Sequence, residues 1–302
     1  MGLEGKIFKG IGGFYYVHTP EGDYECRARG LFRNRKEKPL VGDLVELEPV
    51  VDSEKEKTGN VVRILPRKNQ LIRPEVSNVD QAVVIFALKN PDPSLPLLDR
   101  FLINMEEKQI PTVIFFNKSD LLEDSEEGKA FIDHVREIYT SAGYEVHILN
   151  TRSEQYLPEV MAVLRGKTTV LSGPSGVGKS TLTNLIHPAA EMETGELSKK
   201  IERGKNTTRH SEFFYIDDDT YVLDTPGFTS LYVMDVLPER LMYFFPEFEA
   251  YRSKCRYNTC VHIGEPVRDC AVKAAVKAGA IPRERYDSYR KLFEELREQQ
   301  RF

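Results

Sequence analysis

The chain has 302 residues, of which 29% are charged and 40% hydrophobic, values that are ordinary for a globular protein with two or three domains. No apolar run approaches membrane-spanning length, and residues 1–13 carry no signal-peptide pattern. We therefore predict a cytoplasmic protein with no membrane partner.

The net charge of −5 is unevenly distributed along the chain. Residues 1–73 hold 14 Lys and Arg against 11 Asp and Glu, residues 74–250 hold 16 against 29, and residues 251–302 hold 12 against 7. Two interpretations remain open. The basic ends are either ordinary solvated surface or two regions that contact a polyanion such as RNA.

Residues 3–72 alternate between short β-prone runs and turn signals such as Gly12-Gly13 and Val41-Gly42-Asp43. About five strands in about seventy residues predict a small β-barrel of the oligonucleotide-binding type. The segment Arg27–Lys38 contains six basic residues, one acid and Phe32. Such a loop suits a phosphate backbone with an aromatic ring for base stacking, although an exposed loop without a partner is the alternative.

A linker over 67–78 leads to Val79–Leu88, a nearly continuous apolar run typical of a buried parallel strand. Helical and strand patterns then alternate. We predict helices over 97–109, 126–142, 156–164 and 180–186, and strands over 112–116, 145–149 and 168–172. This alternation predicts a doubly wound α/β domain whose ligands bind at the carboxyl ends of the strands.

Asn117-Lys118-Ser119-Asp120 follows the strand over 112–116 and matches the pattern N-K-x-D. An aspartate here can accept two hydrogen bonds, from the N1–H and the exocyclic amine of guanine. Adenine lacks that pair of donors, so the motif indicates a guanine nucleotide.

Residues 173–180 match the phosphate-loop pattern G-x-x-x-x-G-K-[ST], with a strand before and a helix after. Glycines let backbone N–H groups turn inward around phosphates. Lys179 is predicted to reach the β- and γ-phosphates, and the Ser180 hydroxyl to bind Mg²⁺. The helix beginning near Lys179 points its positive end at the same phosphates.

Residues 191–210 are polar and weakly patterned, which is typical of a connector or of a segment that closes over the γ-phosphate. Thr207 and Thr208 are the alternatives for a threonine that meets Mg²⁺ there; we assign Thr207 to Mg²⁺ and Thr208 to the catalytic group. Asp224-Thr225-Pro226-Gly227 (D-x-x-G) follows a predicted hairpin over 213–223. Asp224 is expected near Mg²⁺, and the Gly227 N–H near the γ-phosphate.

Phe228 occupies the position where many GTPases have a glutamine that orients the attacking water. A phenylalanine cannot do this, so we expect slow intrinsic hydrolysis and help from a partner or from another residue. Asn206 and His210 are further candidates for the catalytic residue.

The C-terminal region contains Cys255, Cys260, His262 and Cys270. Three thiolates and one imidazole form a complete tetrahedral zinc set with no open position, which predicts a structural site. Glu265 and Asp269 are candidates to support the ligands. Predicted helices over 271–279 and 283–297 complete a small domain that needs such a metal, the second helix being basic and aromatic (Arg285, Tyr286, Tyr289 and Arg290).

Because N-K-x-D precedes the phosphate loop, the reverse of the usual order, the GTPase domain is predicted to be circularly permuted. The motifs in this order, the loop version Gly-Pro-Ser-Gly-Val-Gly-Lys-Ser and the Cys/His cluster resemble the ribosome small-subunit-dependent GTPase A family over nearly the whole chain. The resemblance implies a multidomain protein. Its parts are an oligonucleotide-binding barrel (1–72), a circularly permuted α/β P-loop GTPase domain (73–235) and a helical zinc domain (236–302).

The family implies GTP hydrolysis coupled to late maturation of the small (30S) subunit and stimulated by it. The implied partners are GTP or GDP, the small subunit and its 16S rRNA, bound by a monomer. The implied cofactors are one structural Zn²⁺ and the Mg²⁺ that accompanies GTP. The predicted nucleotide-binding residues are Asn117, Lys118, Ser119, Asp120, Gly173, Pro174, Ser175, Gly176, Val177, Gly178, Lys179, Ser180, Thr181, Asp224 and Gly227. Lys179 is also assigned to catalysis.

The sequence departs from the family pattern at three places. Asn206 stands where the family usually has a histidine before the Thr-Thr pair. Seven residues, instead of the usual five, separate His262 from Cys270. The Ser-Ala motif that supports guanine binding is not evident near Asn150-Thr151-Arg152.

Two other functions remain as alternatives. The first is an RNA-binding assembly factor for which GTP is a bound switch and turnover is incidental. The second is a metabolic P-loop kinase, against which the guanine motif argues.

Overall fold

The computed structural model describes residues 2–28, 38–50, 57–72, 74–187, 213–217, 219–224 and 236–300. The strands are β1 Leu3–Ile11, β2 Phe14–Thr19, β3 Gly22–Ala28, β4 Leu44–Val50, β5 Thr58–Ile64, β6 Gln70–Leu71, β7 Val76–Ser77, β8 Gln81–Ala87, β9 Thr112–Asn117, β10 Glu145–Ile148, β11 Thr168–Ser172, β12 Phe214–Tyr215 and β13 Tyr221–Asp224. The α-helices are α1 Leu95–Glu107, α2 Glu126–Ser141, α3 Leu157–Leu164, α4 Lys179–Ile186, α5 Glu249–Arg252, α6 Ala271–Lys277 and α7 Arg283–Gln299.

The first five strands form a closed barrel in the order β1-β2-β3-β5-β4, which confirms the predicted oligonucleotide-binding type of barrel. Neighbours are antiparallel except β3 and β5, which run parallel with Cys26 opposite Gly59. Alternate side chains point inward, and the core contains Ile7, Val17, Cys26, Val45, Leu47 and Val61. Closure pairs the strand edges with one another, so the barrel itself presents no open edge.

Asp43 ties the segment that follows the barrel to its rim. The buried carboxylate accepts hydrogen bonds from Arg67 Nε at 2.7 Å and from Ser77 Oγ at 2.6 Å. Gly42 has a φ of +97°, and a Cβ there would lie 2.0 Å from the Ser77 carbonyl oxygen. Only glycine fits this close approach, so the linker has one defined path away from the barrel.

The second sheet has six strands in the order β10-β9-β8-β11-β13-β12. All seven residues of β8 are buried, as its continuous apolar sequence predicts for a strand covered on both faces. β9 pairs in parallel with β10, and β11 in parallel with β13, whereas β12 is antiparallel to β13. Because β9 precedes β11 in the chain, the strand that carries N-K-x-D comes before the strand that carries the phosphate loop.

By its contacts the chain divides into two compact units. One contains the barrel, α3, α4, β12, β13 and most of β11; the other contains β9, β10, α1, α2, the phosphate loop up to Gly178 and the C-terminal elements. β8 contributes residues to both units. In the second unit, α1 and α2 cover β8 and β9 with an apolar cluster that includes Phe86, Phe101, Phe116 and Tyr139.

The C-terminal module, residues 236–300, consists of α5–α7 and short 3-10 helices at 238–244, 246–248 and 267–269. Its core is aromatic: Phe245 stacks on Phe248 with ring centroids 5.2 Å apart, and Tyr289 meets both rings edge-on. None of the helices in the described part of the chain is long and apolar enough to cross a membrane.

Arg285 is fully buried where α7 meets α1. Its guanidinium donates to Asp99 Oδ1 at 2.6 Å and, as a two-pronged pair, to the Glu247 oxygens at 2.7 and 3.1 Å. Helix α7 was predicted as a basic, aromatic helix, but Arg285, Tyr286 and Tyr289 all lie in the core. The pattern located the helix correctly and gave no indication that these three side chains are inaccessible to a partner.

Candidate functional site

Strand β9 ends at Asn117, whose side chain is buried and fully engaged. Asn117 Nδ2 donates to the Val177 carbonyl at 2.8 Å and to Thr151 Oγ1 at 3.0 Å, while Oδ1 accepts the Thr151 backbone N–H at 3.0 Å. These three bonds fix the orientation of the side-chain amide, because in the reversed orientation Nδ2 would face the Thr151 N–H, one donor against another. The residue that begins N-K-x-D therefore joins the strand end to the phosphate loop and to the loop after β10.

Lys118 makes the second connection between the same segments. It has a left-handed backbone conformation with φ +65°, and its Nζ donates to the Gly176 carbonyl at 2.7 Å and to the Asn90 carbonyl. Burial, and then the nearby charge of Arg152, lower the pKa of Lys118. The ammonium is therefore held over the phosphate loop by two carbonyl oxygens.

Ser119 and Asp120 begin a 3-10 turn over Ser119–Leu121. The Ser119 N–H donates to the Leu149 carbonyl at 3.1 Å, and the side chain of Ser119 is buried. Asp120 is half-buried. The turn thus leaves Asp120 as the acidic group at this end of β9, as the guanine-binding interpretation requires.

The phosphate loop, residues 173–178, depends on glycine at two positions. Gly173 has φ +145°, and a Cβ there would lie 2.2 Å from the Ile85 carbonyl oxygen. Gly178 has φ +103°, and its Cβ would lie 2.2 Å from Asn117 Nδ2. Val177 is buried, whereas Ser175 and Gly176 are exposed and Pro174 is half-buried. Any larger residue at 173 or 178 would displace the strand end or the asparagine.

Helix α4 begins at Lys179, directly after the loop, and its first turn contains Ser180 and Thr181. The Lys179 carbonyl accepts the Thr183 hydroxyl at 3.1 Å, and the Lys179 side chain is largely buried. In the same unit, the parallel pairing of β11 and β13 places Leu171 opposite Asp224. The strands that lead to the phosphate loop and to D-x-x-G therefore end at the same level.

Several predicted site residues lie outside the described part of the chain. They are Asn206, Thr207, Thr208, His210, Gly227 and Phe228, and with them most of the basic loop that contains Phe32.

Cys255, Cys260, His262 and Cys270 bring one ligand atom each to a common point, all within 4.8 Å of one another. His262 Nδ1 lies 3.6, 3.3 and 3.4 Å from the sulfurs of Cys255, Cys260 and Cys270, and the sulfurs of Cys255 and Cys270 are 4.0 Å apart. Ligands of tetrahedral zinc are separated by about 3.6–3.8 Å. The four donors therefore fit a tetrahedral metal ion with no open position.

The surroundings favour metal binding by these side chains. The backbone N–H groups of Ala271 and Lys273 point at the sulfurs of Cys255 and Cys270, at 3.3 and 3.4 Å, which stabilises thiolates. Burial has opposite effects on the two ligand types: it raises the pKa of Cys260 and of Cys270, so their thiolates need the charge of a bound cation, and it lowers the pKa of His262 to about 4. The imidazole is therefore neutral, as a ligand must be.

The two acids predicted to support the cluster hold its loop in different ways. Glu265 Oε1 accepts the Val261 N–H at 3.1 Å, and Asp269 pairs with Arg256 at 3.0 Å. Cys270 lies in the cluster although seven residues separate it from His262. The left-handed conformation of His262, with φ +61°, lets the chain reverse there.

Thr151 was missed as a site residue. The expected Ser-Ala motif is not evident near it, yet Thr151 donates to and accepts from Asn117 as described above. The available signal was its position: it follows β10, the next parallel strand after β9, and strand ends of one parallel sheet meet at one edge.

Two family models match the chain. The model described as RsgA GTPase matches residues 64–234, and the model described as RsgA N-terminal domain matches residues 4–60.

Curated relatives match over the full length. "Small ribosomal subunit biogenesis GTPase RsgA" of Agathobacter rectalis is 49% identical, covering 99% of this chain and 100% of the relative. The protein of that name from Alkaliphilus metalliredigens is 46% identical over 99% of each chain. Among solved structures, YloQ, a circularly permuted GTPase, is similar with a TM-score of 0.82, 37% identity and coverage of 99% and 96%. YjeQ from Thermotoga maritima has a TM-score of 0.84, 33% identity and coverage of 98% and 99%.

Proposed function

This chain belongs to the RsgA GTPase family, and on that premise we propose that it hydrolyses GTP during late maturation of the small ribosomal subunit, whose rRNA it binds. The observation that carries the nucleotide part is the bonding of Asn117, which holds the guanine motif and the phosphate loop together through Val177. The assembly part rests on full-length relatives whose names state that role.

GTP would be bound by the three motifs in distinct ways. Asp120 accepts the two guanine donors, and the Lys118 stem lies along the base. The N–H groups of the phosphate loop and Lys179 neutralise the phosphates, together with Ser180 and Thr181 at the positive end of α4. Mg²⁺, held by Ser180 and Thr207 with Asp224 nearby, would supply charge neutralisation between the β- and γ-phosphates.

Hydrolysis in such a site depends on positioning and electrostatics more than on covalent chemistry. Lys179 and the loop N–H groups stabilise charge that develops on the phosphate oxygens. Orienting the attacking water is assigned to Thr208, with Asn206 and His210 as further candidates, because Phe228 cannot hydrogen-bond to it. We therefore propose slow intrinsic turnover that the small subunit accelerates.

The Cys3His cluster would hold one structural zinc ion. Four protein donors leave no position for water or substrate, so the ion serves the fold of the C-terminal module and takes no part in hydrolysis. The identity of the metal is part of the proposal and is tested by metal analysis of the purified protein.

The barrel offers one candidate surface for RNA. Arg27 lies 4.7 Å from the ring centre of Phe14, and Lys9 lies 5.8 Å from that of Tyr16, on adjoining strands. Aromatic rings beside cations are the arrangement on which single-stranded bases stack while phosphates are neutralised.

The C-terminal module offers another such surface. The exposed rings of Tyr243 and Tyr257 carry Arg252 at 4.6 Å and Arg256 at 5.4 Å. Because Arg285, Tyr286 and Tyr289 of α7 are buried, these two exposed pairs are the proposed RNA contacts of the basic C-terminal region.

The division into residues 1–72, 73–235 and 236–302 is kept as part of the proposal, together with a monomeric state and a cytoplasmic location. The matches of the two family models at 4–60 and 64–234 support the first boundary.

The decisive experiment measures GTP turnover alone, with purified small subunits and with large subunits as the control. Slow turnover that rises only with small subunits supports the proposal. A turnover rate that small subunits do not change contradicts the proposed partner, and the basic surfaces would then need another explanation.

Lys179→Ala separates the enzyme from the switch alternative. If turnover is lost while release from the subunit persists, GTP acts as a bound switch and hydrolysis is incidental. Competition between GTP and ATP for binding excludes the kinase alternative if ATP fails to compete.

A further inference from the structure

One face of the barrel contacts the strands that carry the nucleotide motifs in the same unit. The Phe8 carbonyl of β1 accepts the Phe213 N–H at 2.7 Å, at the start of the β12–β13 hairpin. Lys6 of β1 donates through Nζ to Thr168 Oγ1, and Nζ lies 4.4 Å from the ring centre of Tyr221. The barrel therefore holds the beginning of β11, of β12 and of β13 together.

An aromatic cluster extends this contact. The His18 ring of β2 stacks on Tyr215 with centroids 4.2 Å apart, and Tyr221 lies edge-on to His18 at 6.2 Å. Tyr215 and Tyr221 are themselves 5.5 Å apart. Asp23 Oδ1 lies 2.6 Å from His18 Nδ1 and fixes the imidazole in this orientation. We call His18, Tyr215 and Tyr221 the barrel–hairpin cluster.

The hairpin residues of this cluster lie, in the chain, between the two segments assigned to the γ-phosphate. The hairpin follows the segment that contains Thr207 and Thr208, and β13 ends at Asp224, the first residue of D-x-x-G. Both flanking segments are those assigned to the γ-phosphate. Tyr221 is opposite Thr168 in the register that places Asp224 opposite Leu171, so the four residues of β13 connect the cluster directly to D-x-x-G.

The contact between Tyr215 and His18 is also one that can rearrange. Tyr215 is 39% exposed and β12 has two residues, so displacing the Tyr215 ring exposes little further apolar surface, whereas Phe213 and Tyr221 on either side of it are buried. Such marginal contacts are the ones from which switching elements are drawn. The Lys6 contact beside it is partly buried and would act as the anchor about which the cluster rearranges.

We propose that the barrel–hairpin cluster couples occupation of the barrel by RNA to the γ-phosphate segments, so that the barrel sets the rate of GTP hydrolysis. This inference rests on the proposed function, since it names how the partner regulates the same site. A ligand changes the arrangement of the hairpin only if its affinity differs between the two arrangements. An RNA bound to β1 and β2 would contact the strands that contribute Lys6 and His18, and could therefore favour one arrangement.

The test compares five variants with the unmutated chain. Tyr215→Leu and His18→Leu remove the stacked pair singly and together, and Tyr215→Phe retains the ring. His134→Leu is the matched control, because His134 also pairs with a carboxylate, Glu284 at 2.9 Å, but on α2, in the compact unit that does not contain the hairpin. The measurements are basal turnover, turnover with saturating small subunits, GTP affinity, subunit affinity and melting temperature.

We expect both leucine variants to retain basal turnover and both affinities while the stimulation by small subunits falls about three- to tenfold, the effect of losing one aromatic pair. The double variant should lose no more than the larger single loss, since the two rings act as one unit. Tyr215→Phe and His134→Leu should be stimulated like the unmutated chain.

Undiminished stimulation of Tyr215→Leu, or an equal loss in His134→Leu, overturns the coupling alone. If small subunits fail to stimulate the unmutated chain, the proposed function fails first and the coupling with it. If the leucine variants do not fold, hydrogen exchange of residues 213–224 in the unmutated chain decides the matter. A change on adding small subunits supports the coupling, and no change overturns it.

Discussion

The barrel and the C-terminal module are both small, and they are stabilised in different ways. In the barrel, each strand is bonded on both sides and the core consists of aliphatic side chains distributed around a closed ladder. The module is helical instead, and its structure converges on two polar points, the Cys/His cluster and the buried guanidinium of Arg285. Stability is thus spread over many residues in one region and concentrated in a few in the other.

This difference predicts how each region responds to a single change. When one side chain is removed from a distributed core, the free energy of unfolding falls by a small part. When one member is removed from a polar centre, the remaining members stay buried without their partners, which costs more. The four substitutions below test that contrast, from the largest expected effect to the smallest.

Removing one metal ligand should have the largest effect. Cys260→Ser is expected to abolish metal binding and to unfold the module, because metal binding supplies about 10 kcal/mol in comparable small domains. Metal analysis and hydrogen exchange of residues 236–300 measure this. Cys26→Ser is the control, a fully buried cysteine of the barrel outside the cluster, and should keep both metal and module. Equal damage by the two variants would remove the contrast.

Arg285→Ala should destabilise the module by about 3–5 kcal/mol, because Asp99 and Glu247 remain as buried carboxylates without their cation. Thermal unfolding of the module measures the loss. Arg283→Ala on the same helix is the matched control, since Arg283 pairs with Asp287 at the surface and is 71% exposed. It should change the melting temperature little. A small effect of Arg285→Ala would show that the ion network is dispensable.

Gly5→Ala tests the barrel at a crowded glycine of strand β1. A Cβ there would lie 2.4 Å from the His18 carbonyl oxygen, so β1 and β2 must shift apart at a cost of about 1–3 kcal/mol. Gly2→Ala is the control, because its Cβ would meet no atom nearer than 3.5 Å. Unfolding of the barrel followed by denaturant titration separates the two. Loss of the whole barrel in Gly5→Ala would show that its stability is less distributed than its closed ladder suggests.

The smallest effect concerns pH. Burial lowers the pKa of Lys6 to about 8, against attraction by Asp80 and Asp219, while in the unfolded chain it stays at 10.5. The unfolded state then binds more protons between those values, so the contribution of Lys6 to unfolding free energy rises with pH, by about 1 kcal/mol from pH 8 to 9. Subtracting the same curve for Lys6→Met isolates this rise. Parallel curves would mean that Lys6 titrates normally.

Much of the fold followed from local patterns. The continuous apolar run over 79–88 became the buried strand β8, and the glycines of the phosphate loop take the left-handed conformations that their spacing predicts. Helix ends shifted by a few residues, for example from 97–109 to Leu95–Glu107, because a proline at the first turn starts α1 earlier.

What the sequence did not reveal depends on contacts between distant residues. Thr151 meets Asn117 only after two parallel strands align, and nothing in its neighbours marks it. Arg285 lies in a helix whose composition is basic, and its burial is decided by Asp99, 186 residues away. The parallel pairing of β3 with β5 likewise depends on closure of the barrel, which alternation along single strands cannot specify.

The two ends of the six-stranded sheet bear on whether the sheet can be extended by strands from other copies of the chain. Unpaired strand edges are templates on which other chains add strands and aggregate. Here β10 has four residues and carries Glu145, and β12 has two residues, while the barrel is closed. Within the described residues, no long apolar edge is offered to a neighbouring copy, a property that suits a protein crowded among other copies during synthesis.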